Sequence, residues 1–148
     1  MGEFTAKEEL IEMLREFLTE EGYVPRLDDD GDIVFKYEGG KYYIWIDEDD
    51  LEFVKIIYPA FWSIESDQER THVVQAATFA TRNTKVAKVF PVRDETYATV
   101  EMFCSPVENI KPVLLRSVRA LRTAVTSFRE RMLELRDEAL ESEDEYPA

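Results

Sequence analysis

The stretch Ile33–Asp47, IVFKYEGGKYYIWID, decides how this chain folds. Two apolar runs, Ile33–Glu38 and Lys41–Asp47, flank Gly39-Gly40, a two-residue turn that tolerates positive φ at both centres. That hairpin makes the neighbouring strands antiparallel. In the second run Tyr42, Ile44 and Ile46 fall on one face and Tyr43 and Trp45 on the other, because successive side chains point to opposite sides of a strand. An antiparallel sheet with one wet face alternates apolar with polar residues instead. Either helices cover both faces, or one face waits for a partner.

The next run has the same two-sided character. Leu51–Ile57 follows the acidic turn Asp47–Asp50, with Leu51, Phe53 and Ile57 on one face and Val54, Ile56 and Tyr58 on the other. Pro59-Ala60-Phe61-Trp62 reads as an adjoining loop that adds two large rings. Further on, Val86–Val92 and Tyr97–Cys104 form a second pair of strands, joined by Arg93-Asp94-Glu95-Thr96.

Three segments switch to the helical period. Thr5–Glu8, Ser66–Glu69 and Ser105–Glu108 each place a hydroxyl three residues before a Glu, the reciprocal capping box of a helix start. The first helix, about 6–21, buries Leu10, Met13, Leu14, Phe17 and Leu18, and Gly22 caps its end. The second, about 67–82, carries the small face Val73, Ala76, Ala77 and Ala80. In the third, Leu114, Val118, Leu121, Val125, Phe128, Met132, Leu135 and Ala139 alternate spacings of four and three. Pro112 cannot sit deep in a helix, so Ser105–Asn109 reads as one helical turn and the main helix runs from about 110 to 140. ESEDEYPA (141–148) then forms a frayed acidic tail. The expected order is α-β-β-β-α-β-β-α: an α+β fold, one domain over residues 1–140, with a mostly antiparallel sheet packed by helices and a long C-terminal helix.

Composition bounds the function. The 148 residues suit one domain with a proper core. A net charge of -14 makes nucleic acid and anionic lipid poor partners. The charge is uneven: residues 1–60 hold 17 acids against 6 bases, whereas 106–136 hold 3 acids against 7 bases. A single cysteine, no apolar run of the ~20 residues a membrane span needs, and an acidic N-terminus without an apolar core point to a cytoplasmic protein.

No reaction is advertised. In DDDGD (28–32), aligning Gly31 with position 6 of a calcium loop puts Arg26 at the first ligand position and Tyr37 at the last, so the run is a turn. One His and one Cys cannot close a zinc site, and no glycine-rich phosphate motif exists. His72 reads as a helix-surface residue and Cys104 as a buried thiol. Glu101 is the one acid at a strand centre, facing away from Val100 and Met102. We expect no enzyme, no cofactor and no metal.

The order of elements, the Gly22-Tyr23 entry to the sheet, the strands Asp32–Tyr37 and Lys41–Ile46, the helix His72–Arg82 and the pattern from Val113 to Leu135 together resemble a bacterial family. The chain is similar, over about residues 5 to 140, to YbjN-type domains, described as sensory-transduction-regulator-like, whose fold looks like that of type III secretion chaperones. The resemblance implies a non-enzymatic, protein-binding and often dimeric molecule. It carries no catalytic motif, so no functional residue transfers.

Two features are therefore candidate binding residues. The first is the apolar sheet and loop surface of Tyr43, Trp45, Phe61 and Trp62. The second is Arg122, Arg129 and Arg136, each one position after a seam residue and so along one edge of the last helix. Those arginines either pair with the protein's own acids or edge a groove for an acidic peptide or a second subunit. A helix of some 30 residues spans about 45 Å at ~1.5 Å each, whereas a domain of this size is roughly 38 Å across. The excess favours a homodimer. The expected function is a protein-binding, chaperone-like or regulatory module; the alternative is a regulatory domain sensing a small ligand or cation.

Overall fold

A computed structural model describes residues 5–145 of the chain. Residues 1–4, and residues 146–148 of the expected acidic tail, lie outside the described residues.

Helix α1 (Ala6–Glu20) begins where the cap predicts: the Thr5 hydroxyl accepts from the Glu8 backbone N–H at 3.1 Å. It buries Leu10, Leu14 and Leu18, one side chain per turn, while Met13 and Phe17 lie at the margin. A two-residue strand β1 (Arg26–Leu27) follows, absent from the sequence reading, which treated it as connector. The DDDGD turn returns the chain into β2 (Ile33–Tyr37), with the Asp28 carboxylate accepting from the N–H groups of Asp30 and Asp32 at 3.0 and 2.8 Å.

The hairpin between β2 and β3 (Gly40–Ile46) forms, with a different turn. Its central residues are Glu38 (φ 43) and Gly39 (φ 85), not Gly39-Gly40, and Tyr37 pairs with Gly40. Phe35 therefore sits opposite Tyr42 rather than Ile44. The slide is two residues, so no side chain changes face. Packing fixes this register: a Cβ on Gly40 would stand 2.9 Å from ring carbons of both Tyr42 and Tyr58, so only glycine fits beneath those rings.

Strand β4 is longer than expected, Phe53–Ser63, and absorbs the segment read as a loop. Between the pairs Tyr58–Ala98 and Trp62–Thr96 it carries Pro59, Ala60 and Phe61 where its partner has only Tyr97, a bulge with Ala60 at φ 45. Helix α2 (Asp67–Asn83) starts at Ser66, whose hydroxyl accepts from the Glu69 N–H at 3.0 Å, and buries all four small-face residues. Strands β5 (Ala87–Val92) and β6 (Glu95–Phe103) form the second hairpin, around Arg93-Asp94 alone. The sheet is six-stranded and antiparallel throughout, in the order β1-β2-β3-β4-β6-β5.

The third capping box does not form. Ser105 stays outside the helix, Pro106 takes the cap position without a side-chain bond, and Val107–Ile110 make a 3-10 turn. Helix α3 then runs Lys111–Glu145, further than the expected end near 140, with Pro112 in its first turn where no N–H partner is lost. At ~1.5 Å per residue it is about 52 Å long. Its seam from Leu114 to Leu135 is buried, and only Ala139 is partly exposed.

The core lies on one side of the sheet. Leu10, Leu14 and Leu18 of α1, the small face of α2 and the seam of α3 pack with Ile33, Phe35, Tyr42, Ile44, Val54, Ile56, Val89, Ala98 and Val100. Every one of those strand residues shares a face by register. On the opposite face only Val34 and Thr99 are buried.

Candidate functional site

The sequence left open whether helices cover both faces of the sheet, and they cover one. Tyr43 and Trp45 of β3 lie on the other, opposite Ile57 and Lys55 of β4. The alternation that puts Tyr42 and Ile44 in the core forces their neighbours outward. Trp45 meets Phe53 edge-on with ring centres 6.3 Å apart, and Phe53 meets Phe103 of β6 at 5.8 Å. Phe103 is 80% exposed. Three strands thus contribute one ring each to a row across the outer face.

Charged groups border that row. The Lys55 ammonium lies 5.6 Å from the Trp45 ring centre, within cation–π range. Lys55 also sits opposite Glu101, whose carboxylate accepts from Lys88 at 2.9 Å and from the Thr99 hydroxyl at 2.8 Å. Burial opposes ionisation of Glu101, but the Lys88 and Thr99 hydrogen bonds outweigh it and hold the carboxyl below its usual range. A carboxylate held ionised in this way is a cross-strand tie, with no proton to give at neutral pH.

Phe61 and Trp62 turn to the helix side. The bulge aims both at α3, where Phe61 and Trp62 meet Phe128 edge-on at 5.3 and 5.6 Å. Above them runs the arginine edge. Arg129 lies 5.8 Å from the Phe61 ring centre, Arg136 5.2 Å from Trp62, and Arg122 5.7 Å from Tyr37. Seven residues are nearly two turns of helix, so the three guanidinia stand in line, each over a different ring.

Ion pairs divide the three. Arg122 pairs with Glu38 of the hairpin turn, and Arg136 lies 3.7 Å from Glu69 of α2. Arg129 has no carboxylate partner among the described residues. Among the described residues, the acids that answer this edge come from the β2–β3 turn and α2.

The structure therefore gathers Phe61, Trp62, Arg122, Arg129 and Arg136 on one side and sets Tyr43 and Trp45 across the sheet. Phe53 and Phe103, which complete the outer row, were not singled out. Phe53 shares its face with Ile57 by simple alternation, but Phe103 joins only through the register of β4 with β6.

Cys104 is buried, and burial pushes its thiol up, away from the reactive thiolate. His72 lies part-buried on α2. Among the described residues no group of three or more His, Cys, Asp or Glu side chains is placed to hold a metal ion, and no helix is long and apolar enough to cross a membrane.

Residues 8–139 match the model of a family described as T3SS (YopN, CesT) and YbjN peptide-binding chaperone 1. The chain belongs to this family. The match begins within the first turn of α1, takes in all six strands and α2, and ends within α3. No curated protein matches the chain. Membership in a peptide-binding chaperone family assigns the coarse function, binding of a peptide or protein, and asks which surface does it.

Proposed function

We propose that the chain is a non-enzymatic, chaperone-like module that holds a peptide segment on the outer face of its sheet. The row Trp45–Phe53–Phe103, with Tyr43 beside it, carries this reading: large rings on a face no helix covers. Burying a fully exposed ring is worth about 1.5–3 kcal/mol; Phe103 offers most of that, and the part-buried Trp45 and Phe53 offer less. Lys55, Glu101 and Lys88 supply polar edges that set orientation more than affinity.

Phe61 and Trp62, packed on Phe128, act as support beneath the arginine edge, where Arg122, Arg129 and Arg136 orient acidic parts of the partner. The module comprises residues 1–140 as a single domain and acts in the cytoplasm as a homodimer. Leu133 and Leu140, exposed seven residues apart near the end of the long α3, favour a second copy along that helix.

An immobilised array of extended peptides tests the site. Trp45→Ser with Phe103→Ser is expected to abolish binding of apolar peptides while the melt stays cooperative. Unchanged binding by that double variant would remove the outer face from consideration. Light scattering at micromolar concentration tests the dimer, with Leu133→Glu expected to yield monomer.

A further inference from the structure

Between the β2–β3 turn and α3 lies a polar cavity of about 210 Å³, lined by Glu38, Gly40, Tyr42, Tyr58, Arg122 and Arg129. The Tyr42 side chain is fully buried, yet its hydroxyl has no hydrogen-bond partner among the described residues. A buried polar atom without a partner is costly, and most are satisfied by protein, water or ligand. The hydroxyl lies at the Gly40 end, 3.2 Å from where a Cβ there would stand. Glycine at that position leaves room for the Tyr42 ring and its hydroxyl.

The electrostatics of this space favour an anion. Two arginines line it, and one carboxylate, Glu38, answers them through Arg122, which leaves Arg129 without a carboxylate among the described residues. Arg129 lies over Phe61, and a guanidinium offers five N–H donors in a planar fork that matches a carboxylate. Burial holds the Tyr42 phenol protonated far above neutral pH, so it can donate as well. The volume falls below the ~300–1,000 Å³ of small-molecule sites. It suits one small anionic group, not a cofactor.

We propose that this cavity is a subsite for a carboxylate, received by Arg129 and the Tyr42 hydroxyl, with Glu38 as the internal competitor for Arg122. The anion is an acidic side chain, or the terminal carboxylate, of a bound segment; this source rests on the peptide-binding reading, while the site itself rests on the cavity. Occupancy would pair the unanswered arginine and, with a small shift of the rings that close over the Tyr42 hydroxyl, satisfy that group as well.

Titration with sodium acetate, against sodium chloride at matched ionic strength, tests the subsite by NMR of the arginine Nε–H signals and the Gly39 and Gly40 amides. Saturable shifts at Arg122, Arg129 and the two glycines are expected. Tyr42→Phe should weaken acetate binding about five-fold and Arg129→Gln about ten-fold, as expected for neutral and charge-assisted hydrogen bonds. Glu38→Gln should strengthen it by freeing Arg122. A drift no different from chloride, or an affinity unmoved by Tyr42→Phe, overturns the proposal. Saturation by inorganic phosphate with none by acetate overturns the carboxylate assignment. The peptide array separates the two readings: peptide binding without acetate binding removes the subsite alone, and acetate binding without any peptide binding removes the peptide as its source.

Discussion

Arg136 lies over Trp62, its guanidinium 5.2 Å from the ring centre, and Phe128 of the same helix meets that ring edge-on at 5.6 Å. One tryptophan thus joins the bulged end of β4 to two points on α3 about two turns apart. Its counterpart Trp45 meets Phe53 edge-on and has Lys55 over its ring, on the face opposite the helices.

The two tryptophans should therefore answer the same substitution differently. Trp62→Ser removes a ring wedged between strand and helix, and we expect a loss of about 2–3 kcal/mol, below the full cost of a wholly buried ring. In a protein of this size that lowers Tm by roughly 5–10 °C. Trp45→Ser should cost under about 1 kcal/mol and leave the cooperative melt unchanged. Equal losses would show that the outer face is part of the core.

Gly40→Ala should destabilise by about 1–3 kcal/mol, because the new methyl meets two aromatic rings with no room to withdraw. Gly39→Ala has open space around it, so its cost is only the positive φ, about 1 kcal/mol. Urea midpoints distinguish the two. A milder effect at Gly40 than at Gly39 would place the turn centre at Gly39-Gly40 after all.

The two serines of the predicted caps also part company. Ser66→Ala should lose about 1 kcal/mol, since its hydroxyl accepts from the Glu69 N–H. Ser105→Ala should change stability little, because its side chain caps nothing. Thermal melts of the pair suffice.

Acid titration should show two carboxylates of opposite sign. The folded pKa of Glu101 is depressed, so its contribution is present above the ordinary value of 4.5 and lost as pH falls through the folded value. Glu101→Gln should therefore lower Tm at pH 7, with the difference closing at strongly acid pH. Asp32 is raised, first by burial and then by Asp28 and Asp30. The stability its raised value contributes is complete below the ordinary 3.8 and lost as pH rises through the folded value. Asp32→Asn should raise Tm at pH 7 and leave it unchanged at pH 3.

Much of this was legible in the residues. Periodicity places α1, α2 and α3 because an amphipathic helix must bury one stripe, and Leu10, Ala76 and Leu121 lie on those stripes. Alternation assigns Tyr42 and Tyr43 to opposite faces for the same reason in strands. The Ser105 cap failed because Pro106 takes the cap position and no Ser105 side-chain bond forms there. Pro59-Ala60 read as a loop because the residues that punctuate turns also make bulges.

The periods of helix and strand are local, so the residues alone set the order of the three helices and five longer strands, the face each strand residue takes and the line of Arg122, Arg129 and Arg136. Packing set the rest: the short β1, which face the helices cover, the Glu38-Gly39 turn, and the three-residue bulge that carries Phe61 and Trp62 away from Trp45. Those outcomes depend on contacts between residues far apart in the chain, Gly40 with Tyr58 and Phe61 with Phe128. Close packing admits one register and one facing there, and no local pattern encodes it.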